Sequence, residues 1–270
     1  MSDKVISIKQ AFEKRHRNGQ KCFIPFFTAG DPSIVKTEEF ILALSKAGAD
    51  IIEIGVPFSD PAADGKVIMA ANIRAMSQNV YINEVLDMLK RLKGRVDSSL
   101  VFLIYANIIF KYGIDRFFEK CSDVGISGVI IPDVPIEEEG EFRPFADKFN
   151  IDLIRLISPM SLKRTEKICY NASGFLYCVS SMGVTGVRKD VNSHLEEMFS
   201  VINKYKKIPT AIGFGISTPT QAKQVCKYAD GVIIGSAIVK IIEEYGENAS
   251  AKLFEYAQQI RQAIDSSDTP

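Results

Sequence analysis

Histidine and cysteine, the side chains that most often bind metal ions, are scarce in this sequence. The 270 residues include only two histidines, His16 and His194, and five cysteines with no CxxC pair. These counts disfavour a metal site, and an odd number of cysteines without a paired spacing disfavours a disulfide framework. We therefore expect a protein of a reducing compartment, the cytoplasm, with no bound metal.

The sequence also lacks an excess of charge and a long apolar run. Lys+Arg and Asp+Glu number 33 each, so the chain has no basic field of the kind that nucleic-acid binding requires. The longest apolar stretch, residues 100–110, is interrupted by Asn107 and is too short to span a bilayer. The first ten residues contain no signal-peptide apolar region. We expect neither a nucleic-acid partner nor a membrane partner.

Eight apolar, strand-like segments alternate with helical patterns along the chain. The strands are predicted at 22–32, 50–56, 100–106, 128–135, 152–159, 174–180, 209–216 and 231–239. Strands that alternate with helices form parallel sheets covered on both faces. Eight such units in about 250 residues are typical of a (β/α)8 TIM barrel. A doubly wound sheet is the alternative, but nothing resembles GxGxxG at the first strand–helix turn.

We therefore predict an α/β protein with a single (β/α)8 barrel domain over residues 1–270. An extra helix is predicted at the N-terminus, about 4–18, where apolar residues recur with helical spacing before a glycine. A long loop after the sixth strand, about 181–192, is predicted to be a mobile lid that closes over the substrate. A solvated excursion is the alternative for this loop.

Two acidic residues belong to the second strand and to the loop that follows it. Glu53 stands among isoleucines in the strand, and Asp64 comes eleven residues later in a loop that ends in glycine. Active sites of such barrels lie at the C-terminal ends of the strands, and an ionised carboxylate is costly to bury unless it is paired or its pKa is raised. A core ion pair for Glu53 and a turn for Asp64 are the alternatives. Their joint placement favours two acids that face one cavity.

Glycine-containing segments lie at or just after the C-terminal ends of the last three predicted strands. They read GVTG (183–186), GFGIST (213–218) and IGSAIV (234–239). Barrel enzymes often bind phosphate with the loops after strands seven and eight and a helix N-terminus. Glycines let backbone N–H groups approach an anion closely, and Ser236 adds a hydroxyl. Ordinary turn glycines would explain each loop singly, but three such loops at adjacent strand ends favour a phosphate site.

Aromatic and apolar residues could form the wall of a pocket at the same end of the barrel. Tyr177 lies in the sixth strand, where its hydroxyl could point into the mouth. Core packing explains aromatic residues equally well. The candidates for the wall are Phe26, Ile68, Tyr105 and Phe214.

Seven sequence blocks occur in order over nearly the whole chain: PFFTAGDP (25–32), IEIGVPFSDPAADG (52–65), IYAN (104–107), PDVPIEE (132–138), SMGVTGVR (181–188), GFGIST (213–218) and GSAIV (235–239). Together they closely resemble the tryptophan synthase α-subunit family. The resemblance implies an aldol-type cleavage of indole-3-glycerol phosphate to indole and glyceraldehyde 3-phosphate, with no cofactor on this chain.

The resemblance also implies a role for individual residues. Glu53 matches the family's general acid/base, and Asp64 matches the acid that binds the indole N–H. Tyr177 joins them in the implied catalytic set. The implied substrate-binding residues are Phe26, Ile68, Leu103, Thr185 and Phe214. The implied phosphate-binding residues are Gly186, Gly215, Gly235 and Ser236.

A partner is implied as well, namely a β subunit that carries pyridoxal phosphate and receives indole through a tunnel in an α2β2 heterotetramer. The residues implied to face it are Pro57, Asp60, Asn107, Asp133 and Pro135. The chain departs from the family pattern near Asp64, because Ala62, Lys66 and Met69 stand where Leu, Pro and Gln are expected. These departures bear on the mobility of the loop and on its fit to the partner.

Other functions remain as alternatives at this point. A stand-alone lyase would release free indole without a β subunit, and a non-catalytic chain would only activate a β subunit. Another phosphate-binding barrel enzyme, such as a sugar-phosphate epimerase or an indole-glycerol-phosphate synthase, is disfavoured. The first usually needs histidine-bound metal and the second needs lysines in its strands, and the strand segments of this chain contain neither.

Overall fold

The computed structural model describes residues 5–179, 188–213 and 215–266, with the backbone alone given for 188–194. Eight parallel strands form a closed barrel in sequence order, and the first strand pairs with the last. The strands are β1 Cys22–Thr28, β2 Ile51–Gly55, β3 Ser99–Leu103, β4 Ile126–Ile130, β5 Asp152–Ile157, β6 Leu176–Val179, β7 Thr210–Gly213 and β8 Gly231–Ile234. The predicted (β/α)8 barrel is confirmed.

Twelve α-helices occur in the part of the chain that the structure describes. They are α1 Ile8–Arg17, α2 Ile34–Lys46, α3 Lys66–Ser77, α4 Ile82–Leu92, α5 Ala106–Tyr112, α6 Ile114–Val124, α7 Arg143–Lys148, α8 Thr165–Cys169, α9 Arg188–Tyr205, α10 Pro219–Val225, α11 Ser236–Tyr245 and α12 Ala249–Asp265. Short 3₁₀ segments cover Glu139–Glu141, Pro159–Arg164 and Gly246–Asn248. None of the described helices is long and apolar enough to cross a membrane.

Differences from the sequence prediction occur at both ends of the chain and after β6. The N-terminal helix begins at Ile8 and not near residue 4, because Ser7 caps it by accepting a hydrogen bond from the N–H of Gln10. The sequence pattern predicts a helix over 193–206, but the observed helix begins at Arg188, so residues 188–192 of the predicted lid are helical. Residues 181–187 of that lid lie outside the described residues. Helical sequence runs from about 237 to 265, and the structure divides it into two helices, because Gly246 ends the first at a φ of +52°.

Side chains fill two separate layers of the core. Inside the barrel, alternate strand residues such as Ile24, Ile51 and Val101 pack against one another. Their neighbours along the strands, such as Phe23 and Phe27, pack outward against the helices. The alternation follows from the two-residue period of a strand. The same period assigns each remaining strand residue to the interior of the barrel or to the side that faces the helices.

Helix α1 closes the N-terminal end of the barrel. Ile8 and Phe12 join the interior cluster, and the Phe12 ring lies 5.7 Å from that of Phe175. A buried carboxylate just before β2, Asp50, accepts hydrogen bonds from Arg15 of α1 and Arg261 of α12. These charged contacts fix α1 and α12 to this end. The opposite, C-terminal end is therefore where the barrel can admit a substrate.

Candidate active site

Glu53 lies on β2 with its side chain inside the barrel. It shares the face of Ile51, which belongs to the interior cluster, and it is fully buried. Neither carboxyl oxygen has a hydrogen-bond partner among the described residues. Burial, with a smaller contribution from the charge of Asp64, raises the pKa of Glu53 to about 8. Glu53 is thus mostly protonated at neutral pH, and no Lys or Arg among the described side chains forms the core ion pair considered from the sequence.

Asp64 is a second, half-buried acid in the loop after β2. Its Oδ2 accepts a hydrogen bond of 3.1 Å from Nδ2 of Asn72 on α3. The hydroxyl of Tyr105 hydrogen-bonds to the same carboxylate and accepts a bond of 3.2 Å from the N–H of Ala63. Burial raises the pKa of Asp64 to about 6, and the bonds from Tyr105 and Asn72 oppose this rise. Asp64 is therefore an oriented, largely ionised carboxylate at neutral pH, and it does more than form a turn.

Tyr177 of β6 contributes a phenol to the interior of the barrel. Burial raises its pKa well above the usual value, and the charges of Glu53 and Asp64 add to this effect. A Cβ atom built on Gly213 would lie 3.0 Å from the Tyr177 hydroxyl. Because Gly213, at the end of β7, has no side chain, it leaves room for the Tyr177 hydroxyl. Tyr177 remains a neutral hydrogen-bond donor near the two acids.

The ring of Phe26 lies between the ends of two neighbouring strands. Phe26 is in register with Glu53 across β1 and β2. A Cβ atom on Gly55 would lie 2.9 Å from ring atoms of Phe26, and one on Gly235 would lie 3.0 Å from Cδ1. Both contacts are closer than real Cβ atoms normally make. The two glycines therefore create the space in which an aromatic wall stands beside Glu53.

The loops after β7 and β8 present backbone groups at the same end of the barrel. Helix α11 begins at Ser236 immediately after Gly235, so its first N–H groups and the positive end of its dipole face this end. Gly215 has a φ of +76°, in the left-handed region that favours glycine. An anion could be bound between these loops by backbone N–H groups. Phosphate binding by these loops stays a prediction, and the third predicted loop, 183–186, lies outside the described residues.

Comparisons with known proteins identify the family of this chain. A family model described as "Tryptophan synthase alpha chain" matches residues 12–266. The chain belongs to this family. The predicted family, the α-subunit function and the enzyme class, a carbon–carbon lyase that cleaves indole-3-glycerol phosphate, are confirmed.

Individual relatives cover nearly the whole chain. A tryptophan synthase alpha chain of Lacticaseibacillus casei is 48% identical over 91% of this chain and 92% of its own length. One from Thermoanaerobacter sp. strain X514 is 46% identical over 92% and 94%. The crystal structure of subunit alpha from Legionella pneumophila str. Paris has a TM-score of 0.87 at 33% identity, covering 96% of this chain and 98% of that one. A Mycobacterium tuberculosis tryptophan synthase structure has a TM-score of 0.88 at 28% identity, covering 98% and 100%.

The remaining substrate-pocket residues expected for this family are only partly described. Leu103 ends β3, packs against the interior cluster and is half-buried. Ile68 is half-buried in the first turn of α3. Tyr105 was expected in the pocket wall, and the structure gives it the additional role of binding Asp64. Thr185, Gly186 and Phe214 lie outside the described residues.

The residues expected to face a β subunit include one with a clear structural role. The carboxylate of Asp133 accepts hydrogen bonds from the N–H of Ala106, at 3.1 and 3.3 Å, and so caps α5. Asp133 thereby joins the loops after β3 and β4. Among the other residues expected there, Pro57 is buried and the rest are exposed: Asp60, Asn107 and Pro135.

Sequence reasoning did not single out two buried polar residues, Asn72 and Thr28. Asn72 stands in an apolar, alanine-rich stretch, and this isolated polar residue eight positions after Asp64 was the only signal. Thr28, at the end of β1, is buried with an unpartnered hydroxyl and gave no signal in the sequence. In the described part of the chain, no group of three or more His, Cys, Asp or Glu side chains is arranged to hold a metal ion. The five cysteines are free and buried, as expected for small apolar residues.

Proposed function

We propose that Glu53 is the general acid and base of indole-3-glycerol-phosphate cleavage and that Asp64 binds the indole nitrogen. The observation that carries this proposal is the difference between the two acids. Glu53 has a pKa of about 8 and no partner among the described residues, whereas Asp64 has a pKa of about 6 and two side-chain donors. Two carboxyl groups whose pKa values are pushed apart can serve as acid and as anion in one site.

The first step of the proposed reaction is a proton transfer to carbon. Protonated Glu53 gives its proton to C3 of the indole ring, and the ring becomes a cation with its charge centred on the nitrogen. Ionised Asp64 accepts a hydrogen bond from the indole N–H and stabilises this charge. Because Asn72 and Tyr105 already orient Asp64, little reorganisation is needed as the charge develops.

The second step breaks the carbon–carbon bond. The Glu53 carboxylate takes the proton from the hydroxyl on the carbon attached to C3, and that carbon becomes the aldehyde of glyceraldehyde 3-phosphate. The electron pair of the broken bond returns to the ring, which becomes neutral indole and keeps the proton on C3. Glu53 ends the cycle protonated, so protons and electrons balance without a cofactor.

Other residues bind the substrate in this proposal. Tyr177 donates a hydrogen bond near the reacting atoms, and the N-terminus of α11 binds the phosphate with the glycine loops. The phosphate-binding residues are Gly186, Gly215, Gly235 and Ser236. The indole ring is enclosed by Phe26, Ile68, Leu103 and Phe214, and Thr185 acts through closure of the loop after β6.

We further propose that the chain works in the cytoplasm in an α2β2 complex with a β subunit that carries pyridoxal phosphate. Family membership supports the existence of such a partner. The proposed contact surface consists of Pro57, Asp60, Asn107, Asp133 and Pro135. Met69 and Lys66, which are both exposed next to Asp64, flank this surface.

Indole release from indole-3-glycerol phosphate by the purified chain, with and without a cognate β subunit, tests the proposal. Slow release alone and a large increase with the partner is the expected result. Rapid release that the partner leaves unchanged would favour a stand-alone lyase. Activation of the β subunit without any indole release would favour a non-catalytic activating chain.

A further inference from the structure

Thr28 ends β1 with a hydroxyl that has no hydrogen-bond partner among the described residues. Its side chain is almost completely buried, with 1% of the residue exposed. Within the described ranges, the buried side-chain oxygen and nitrogen atoms without a hydrogen-bond partner are Thr28 Oγ1, Ser99 Oγ and the two carboxyl oxygens of Glu53. A buried hydroxyl without a partner destabilises the folded state, and valine would fill the same volume without this cost. Folding alone therefore does not explain a threonine here.

The face of β1 on which Thr28 lies follows from its neighbours. Cys22 and Ile24 point into the barrel, and the ring of Phe26 occupies the space beside Gly55 and Gly235. Because side chains two residues apart share a face, Thr28 is on the interior face, one layer nearer the mouth than Phe26. Its position in register with Gly55 places it one layer above Glu53 as well.

The order of strands puts Thr28 between the two parts of the proposed site. Strand β1 pairs with β2, which carries Glu53, on one side and with β8, which leads to Ser236, on the other. A substrate with its indole at Glu53 and its phosphate at the α11 N-terminus must pass its glycerol chain across β1. The glycerol carries hydroxyl groups, which are the natural partners of an unpaired hydroxyl.

We propose that Thr28 is a substrate-binding residue whose hydroxyl hydrogen-bonds to the glycerol hydroxyls of the phosphate substrate. This inference rests on the proposed function, because it uses the proposed positions of the indole and the phosphate. The cost of the unpaired hydroxyl in the free protein is recovered when the substrate supplies a partner. Binding of the glycerol part is thereby favoured over binding of phosphate alone.

The test compares Thr28→Val with Thr28→Ser, which keeps the hydroxyl, and with Ser99→Ala. Ser99 is a matched control because its hydroxyl is also buried and unpartnered, but it lies at the opposite end of the barrel, at the start of β3. We expect Thr28→Val to lower kcat/KM for indole release at least tenfold while the melting temperature stays equal or rises. Thr28→Ser should recover most of the loss. Ser99→Ala should leave kcat/KM within twofold and the melting temperature equal or higher.

Calorimetric binding gives a second readout that does not depend on turnover. Thr28→Val should weaken the binding of glycerol 3-phosphate at least threefold and leave the binding of inorganic phosphate unchanged. Wild-type values for both ligands, or a loss of kcat/KM that comes with a lower melting temperature and unchanged glycerol 3-phosphate binding, would overturn the proposal. A wild-type chain that releases no indole would instead count against the proposed function, and the binding comparison would still decide the role of Thr28.

Discussion

Asp64 lies close enough to Glu53 for its negative charge to raise the pKa of the Glu53 carboxyl, in addition to the larger effect of burial. The two acids sit on one strand–loop unit but in different surroundings. Asn72 donates a hydrogen bond to Asp64, and neither Glu53 oxygen has a partner among the described residues. The same barrel end thus holds one neutral and one ionised carboxyl group at neutral pH.

The pH dependence of kcat/KM should reflect these two pKa values. Activity should fall above about pH 8, where Glu53 loses the proton it must deliver, and below about pH 6, where Asp64 gains one. The substrate phosphate also titrates near pH 6, so the alkaline limb is the cleaner test. Initial rates of indole release between pH 5 and about pH 10 measure the profile. A profile that stays flat to pH 10 would contradict the assignment of the acid.

Glu53 should also make the folded protein less stable as the pH rises. Its folded-state pKa is raised from 4.5 to about 8, so its contribution to stability is present below pH 4.5 and is lost as the pH approaches 8. A pKa shift of this size corresponds to a few kcal/mol, at about 1.4 kcal/mol per pKa unit.

Glu53→Gln removes the titrating carboxyl group, so the variant does not lose this stability as the pH rises. The variant should therefore become more stable relative to the wild type at higher pH. The difference in melting temperature should grow by about 5 °C or more between pH 5 and pH 8.5, at ~2–4 °C per kcal/mol. Scanning calorimetry at several pH values measures it. The matched control is Glu13→Gln, because Glu13 is a partly exposed glutamate on α1 at the closed end of the barrel, with 44% of its side chain exposed. A difference that is independent of pH would argue against a buried, titrating Glu53.

Asn72→Ala should move the acid limb of the pH profile upward. The mutation removes a hydrogen bond that lowers the pKa of Asp64, so Asp64 gains its proton at a higher pH. We also expect kcat/KM at pH 7.5 to fall about tenfold, because a charge-assisted hydrogen bond that orients Asp64 is lost. Gln78→Ala, an exposed change at the end of the same helix, is the control. The phosphate titration is the same in both variants, so an unmoved acid limb would exclude the proposed role of Asn72.

Gly235→Ala should displace the ring of Phe26, because the nearest atoms to the added Cβ all belong to Phe26. The added Cβ would lie 3.0 Å from Cδ1 of the Phe26 ring, so the ring must move by a few tenths of an ångström. We expect a loss of about 1–3 kcal/mol in the free energy of unfolding, as for other overpacked sites, and a higher KM. Gly140→Ala is the control, because nothing lies within 4 Å of its added Cβ. Urea unfolding of both variants measures the effect, and equal stability would contradict the close packing of Phe26 on Gly235.

The sequence was sufficient for the barrel and for the main acids because each depends on a local pattern. Eight apolar segments predict the strands, and Glu53 stands out as a carboxylate inside one of them. Asn72 and Thr28 could not be identified in this way. Their roles depend on which face of an element they occupy and on whether a partner lies opposite, and only the assembled barrel determines both.

Helix α5 is a second feature that the sequence pattern does not reveal. Helix α5 was not predicted, because its N-terminus is capped by Asp133 from the next loop, 27 positions further along the chain. Gly113, at a φ of +93°, then ends it and separates it from α6. A pattern read along one segment contains no information about a cap supplied by another segment.

Indole release by Glu53→Gln tests the central assignment most directly. The amide keeps the size of the side chain but can neither deliver nor accept the proton, so we expect turnover to fall by about 10²–10⁴-fold. Binding of glycerol 3-phosphate, measured by calorimetry, should stay within about threefold of the wild type, and Glu13→Gln should retain full turnover. Loss of turnover with binding retained is the result that the account predicts. Turnover within tenfold of the wild type would show that Glu53 is not the acid and base of this reaction.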